Sequence, residues 1–232
     1  GWYEGDKKIS ENEFITMQDR EMEITAKWVV CPITLEKSIA EAGTVSGVSG
    51  TTAIGEEVTI TAATKNGYTW VGWYNGDTLL TNELEYTFNM PSKNATYTAK
   101  WIKISIDRNL TSAGSVSALS NKYVVGDEVT ISASTNNGYT WVGWYNGEKE
   151  LTKELSYSFT MPSESATFTA KWAKITLSRN NSSAGTITSL NNKYVVGDEV
   201  TISATTNSGY TWLGWYNGET ELTKNTRYTF SM

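Results

Sequence analysis

Apolar and polar residues alternate along most of this chain with a period of two, the spacing that sends successive side chains to opposite faces of a β-strand. In ATYTAKW, Tyr97, Ala99 and Trp101 share one face, while Thr96, Thr98 and Lys100 take the other. The same reading gives Val58, Ile60 and Ala62 as the inward set of EVTITAAT, and Leu84, Tyr86, Phe88 and Met90 as that of LEYTFNM. There is little sign of a 3.6-residue stripe, so strands are predicted and helices are not. Asn-Gly pairs at Asn66-Gly67 and Asn75-Gly76 predict hairpins, because both residue types accept the positive φ of a type I′ turn. Hairpins in turn predict an antiparallel sheet.

The alternation breaks at two kinds of place. Trp70 and Trp73 are three residues apart and would point to opposite faces of a flat strand, yet Gly72 lies between them. Two readings fit: a glycine-centred bulge that turns both indoles to one core, or a strand buried on both faces. The second break follows a tryptophan. Up to Trp101 the apolar positions are odd-numbered, and from Ile102 through Ile104 and Ile106 they are even-numbered. The switch recurs after Trp172, at Ala173, Ile175 and Leu177, and after Trp28, at Val29, Ile33 and Leu35. A one-residue slip turns every side chain over, so the chain is expected to leave one core and enter the next at each of these tryptophans.

Those breaks are periodic. GYTWVGWYNG at Gly67–Gly76 returns from Gly138 and, with one Val changed to Leu, from Gly209; its central glycine stands at Gly1, Gly72, Gly143 and Gly214, a step of 71 each time. The predicted frame is half a repeat at 1–29, complete repeats at 30–101 and 102–172, and a repeat at 173–232 without its last strand. Because the chain opens and stops inside a repeat, it reads as an excerpt of a longer protein. A repeat of this length can hold its own small core, and no flexible spacer separates the repeats, so beads on a semi-rigid rod are expected. Incomplete repeats at the two ends would be frayed or would pair with neighbouring strands.

Composition narrows the chemistry. The chain has a net charge of −6, 10 Trp, 13 Tyr, one Cys and no His. No basic stripe marks a nucleic-acid binder, and no apolar run is long enough for a membrane helix. Cys31 stands three residues after Trp28, as Ile104 and Ile175 do after Trp101 and Trp172, and reads as a small apolar residue. Without His the usual proton carrier is missing, and the recurring acidic pairs Asp127-Glu128 and Asp198-Glu199 sit at VGDE turns that suit Asp for backbone reasons. Their spacing is not that of a calcium loop. The chain is therefore expected to be no enzyme and to use neither metal nor cofactor. Lys100 and Lys171, before the terminal Trp of their repeats, are candidate amines for a Lys–Asn cross-link, but the alternation puts them on the outer face, where an exposed amine is the ordinary reading.

With GYTWVGWYNG, YTF-x-M and AT-x-TAKW in register over the whole chain, the sequence resembles the divergent InlB B-repeat family, relatives of the Listeria–Bacteroides repeats. Gly43, Val45, Gly67, Tyr68, Gly72, Trp73, Tyr86, Phe88, Met90, Ala95 and Trp101 carry the pattern. The resemblance implies a secreted or wall-attached segment of a bacterial surface protein or adhesin. It also implies β-grasp-like units as the alternative to a plain antiparallel repeat, although the chain shows no convincing helix. The function expected is a non-catalytic stalk whose partners are neighbouring repeats. The alternative is a module for glycan or host protein, with Tyr74, Tyr145 and Tyr216 as the candidate contact residues, because each follows a core Trp and leads into a turn.

Overall fold

The computed structural model describes residues 1–10, 19–27, 32–47 and 52–232. Trp28 and Cys31, with the first phase switch and the core position expected of the cysteine, lie outside the described residues. The described chain is all strand, with no helix. It forms two compact units, one of Gly1–Ser38, Thr44–Ala63 and Gly72–Lys100, the other of Ile39–Gly43, Thr64–Val71 and Trp101–Met232. These units run across the 71-residue sequence frame.

In the first unit, Trp2–Glu4 pairs antiparallel with Lys7–Ser10 and with Thr25–Ala26. Glu57–Thr64 pairs with Glu85–Asn89, bringing Val58 opposite Phe88 and Ile60 opposite Tyr86. Val58, Ile60, Ala62, Trp73, Tyr97 and Ala99 are buried, as the alternation predicts. Tyr86, Phe88 and Tyr97 pack ring on ring with centroids 4.5–5.8 Å apart. Leu84, read as inward, is exposed: it lies before the strand Glu85–Asn89 begins, where its carbonyl accepts from Trp73 Nε1 at 3.1 Å.

The second unit contains the whole of 102–172. One sheet runs in the order Ile104–Arg108, Ala166–Ala173, Thr140–Asn146, Lys149–Thr152, and another in the order Gly114–Val116, Glu128–Thr135, Ser156–Thr160. Between them lie Ile102, Ile104, Ala113, Ile131, Trp141, Trp144, Phe159, Met161, Phe168 and Trp172 in one cluster. Trp101 and Trp172 are each 2% exposed, and the even-numbered Ile102 and Ile104 are buried just after the first of them. Each buried indole removes roughly 150–250 Å² from water, worth about 4–6 kcal/mol as an upper bound. Edge-to-face pairs at 5.0 Å join Trp70 to Trp101 and Trp141 to Trp172.

The bulge resolves the first break in alternation. Trp141 pairs with Trp172 and Gly143 with Lys171, leaving Val142 as the extra residue. Gly72, Gly143 and Gly214 have φ of 152°, 149° and 149°, and both tryptophans of the first two strings are buried. The Asn-Gly pairs behave differently from the hairpin expectation. At Asn66-Gly67 and its counterpart Asn137-Gly138, the flanking strands belong to different sheets, so the turn passes the chain between layers. At Asn75-Gly76 a hairpin does form, but Asn75 pairs with Thr78 as the last strand residue and only Gly76 has positive φ, 57°. That is the type II′ pattern with Gly in the first turn position, not type I′.

Most strand pairs are antiparallel, as expected, but the first and last strands of a repeat pair parallel: Ile104–Arg108 with Ala166–Ala173, and Ile33–Lys37 with Ala95–Ile102. Hairpin signals report only pairings between sequence neighbours, so this long-range pairing left no local trace. Asn109 prolongs the parallel ladder: its Nδ2 donates to Trp172 O and Trp172 N donates to its Oδ1, both at 2.8 Å.

Candidate binding surface

Tyr145 follows the buried Trp144 and points to the other face of the strand Thr140–Asn146, where it is half-buried. Lys171 Nζ stands 4.1 Å from its ring centroid, and 3.7 Å from Glu148 Oε2. The Tyr145 hydroxyl donates to Glu150 Oε2 at 3.1 Å. Partial burial, then the bonded Glu150 carboxylate and Glu148, hold the phenol above its ordinary value of 10.0. At Tyr74 the same lysine position is filled, with Lys100 Nζ 4.0 Å from the ring centroid. Tyr216 is 47% exposed and bonds Glu221 at 3.3 Å. The three candidate tyrosines thus recur at one position of the fold, and in two of them a ring face lies under an ammonium group. Lys100 and Lys171, the candidate cross-linking amines, are the residues covering these rings.

The acidic turns are explained by the backbone. Asp127 Oδ2 accepts from Val124 N and Asp198 Oδ2 from Val195 N, both at 2.9 Å, closing the same turn twice. Glu128 accepts from the Thr160 hydroxyl at 2.7 Å. Among the described residues no three acidic or thiol side chains gather as a metal site.

Where one repeat follows another, the main chain itself forms the contact. Tyr194–Val195 pairs parallel with Thr140–Trp141, with Tyr194 N donating to Tyr139 O and Val196 N to Trp141 O at 3.1 Å, and Gly138 N to Asn192 O at 2.7 Å. Tyr123–Val124 repeats the arrangement on Thr69–Trp70. The bulge at Val142 is where the edge of the tryptophan strand changes partner: residues 144–146 hold their own hairpin, residues 140–141 the following repeat.

In the third repeat the tryptophan strand is Trp215–Asn217. Trp215 is buried, Trp212 half-buried, and Leu213 is 65% exposed. A cavity of about 620 Å³ opens beside Ile175, Leu177, Ile187 and Leu190. In the second repeat the corresponding Ile104, Ile106, Val116 and Leu119 pack on the core.

One surface feature escaped the sequence reading. The strands Glu57–Thr64, Glu128–Thr135 and Glu199–Ser203, with their neighbours, turn hydroxyls to solvent in pairs at Ser46–Thr61 and Thr59–Thr87, Ser115–Ser134 and Thr130–Ser158, and Thr186–Thr205 and Thr201–Thr229, all 2.7–2.8 Å apart. Its signal in the sequence is the polar half of the alternation in strings such as VTISAS.

Comparison with known proteins gives three consecutive matches to the divergent InlB B-repeat domain, at residues 33–105, 104–176 and 175–232. Internalin H of Listeria monocytogenes serovar 1/2a (strain ATCC BAA-679 / EGD-e) is 32% identical over 114 residues, 49% of this chain. The match spans 21% of that relative's length.

Proposed function

This chain belongs to the divergent InlB B-repeat domain family, and on that premise we propose that it is a non-catalytic spacer segment of a bacterial secreted or wall-attached surface protein. It holds neighbouring domains at a distance and does not itself carry out chemistry. The observation that carries this reading is the main-chain pairing of successive repeats, three backbone hydrogen bonds between residues 192–196 and residues 138–141. A second support is the use of the aromatic string: Trp141, Trp144 and Trp172 fill the interior, and the remaining tyrosine of the string carries a lysine on its ring. The absence of His from the sequence also fits a non-catalytic role. A likeness to Internalin H supports a surface or secreted setting for the parent protein.

The test is to add or remove one 71-residue repeat in the parent protein and measure how far the flanking domain stands from the cell wall by antibody labelling in electron micrographs. A constant increment per repeat is expected. A glycan-array or host-protein hit that disappears in Tyr145→Ala, with the strand signature intact, would replace the spacer with the binding reading.

A further inference from the structure

Both complete repeats place their first and last strands side by side and parallel, and this decides how tension along the chain would load them. In the second repeat the ladder runs from Ile104 opposite Ala166 to Arg108 opposite Ala170; in the first it runs from Ile33 opposite Ala95 to Lys37 opposite Ala99. A pull on the ends of a repeat enters at the start of its first strand and leaves at the end of its last. For parallel neighbours those two points lie at opposite ends of the ladder. The strands must then slide past each other, and every hydrogen bond between them resists together. Antiparallel neighbours would present both points at one end and would open one rung at a time.

We propose that this parallel pair is a clamp, and that the chain's further function is to bear tension along its length. The purpose of such tension rests on the spacer reading, whereas the clamp rests on strand direction alone. Two further features suit it. Asn109 adds contacts at the end of the ladder, binding Trp172 through both its amide nitrogen and its oxygen, while Asn109 N donates to Ala170 O at 3.1 Å. Between the strand that ends at Ile102 and the one that begins at Ile104 there is a single residue, Lys103, so tension leaving one ladder enters the next without slack.

Forced unfolding is governed by the barrier to unfolding and so reads the clamp directly. The whole chain is to be stretched between handles at Gly1 and Met232. Two equal large steps are expected, each releasing roughly 240 Å, the extended length of about 71 residues. In a second experiment clickable amino acids at Lys103 and Ser163, which lie at the same end of the second ladder, carry the handles. The force should then fall at least twofold; an equal or higher force overturns the clamp. Asn109→Ala, with its circular dichroism unchanged, should weaken one of the two end-to-end steps and leave the other as an internal standard. Two unchanged steps would also count against the assignment. If the ladder is strong but the flanking domains work without these repeats, the spacer reading fails and the clamp stands; a weak ladder in a protein that needs its repeats gives the reverse.

Discussion

At Gly143 the chain takes φ of 149°, and a Cβ there would stand 2.7 Å from the Thr152 carbonyl oxygen. Strain and clash act together, so Gly143→Ala should cost about 2–4 kcal/mol, measured by urea unfolding. Gly147 makes the control: φ is 58° and a Cβ meets nothing within 4 Å, so Gly147→Ala should cost only about 1–2 kcal/mol. A buried hydrogen bond offers a second test. Trp172 Nε1 donates to Thr135 Oγ1 at 3.0 Å. Thr135→Val keeps the shape and leaves the indole N–H unsatisfied, with an expected loss of about 1–3 kcal/mol. Tyr145 supplies the pH dependence. Its folded pKa is raised, so its contribution is complete below the ordinary tyrosine value of 10.0 and is lost as pH rises through the folded value. Glu150→Gln removes the second cause while leaving burial, so the ring, followed by NMR, should ionise at lower pH than in the parent chain.

At the level of strands, the joint between repeats is testable by taking away one donor. Val196 N–H donates to Trp141 O, and Val195 before it is already extended, as a residue preceding proline prefers. Val196→Pro should therefore remove one backbone bond with little local strain, and amide exchange at Gly138 and Tyr194 should speed up by about tenfold. Unchanged exchange would mean that the joint is held by side chains instead. Strands were the most legible part of the sequence. Val58, Ile60, Tyr97 and Trp172 are where the alternation puts them, and of the two readings open at the Gly between the tryptophans, bulge or burial on both faces, the bulge is the one that forms. What the alternation could not carry was direction. Whether Ile104–Arg108 meets Ala166–Ala173 parallel or antiparallel depends on the path of some sixty intervening residues, and turn residues speak only for their immediate neighbours. The same limit explains Asn66-Gly67, whose residues fit a turn equally well when it joins two layers.

For the molecule as a whole, the period of 71 identified the repeats, while the compact units cross that frame because residues 69–70 pair with Tyr123–Val124 of the following repeat. Unfolding by denaturant should accordingly occur in more than one phase. Coincident tryptophan-fluorescence and circular-dichroism transitions would contradict this. The candidate surface was half legible. Recurrence of Tyr74, Tyr145 and Tyr216 was plain, but the lysines over the first two rings come from the neighbouring strand and could be paired with them only once the register was known.

The paired hydroxyls of the outer sheets have an implication of their own. Ser and Thr exchange freely between copies at these places, as in Ser115–Ser134 against Thr186–Thr205, so the oxygen is common and the methyl is not. Hydroxyls neither titrate in the biological range nor attract counterions, so these pairs hold their water alike in acid and in brine. How the protein responds to acid and salt is left to its 25 acidic and 19 basic side chains, to which these patches add nothing.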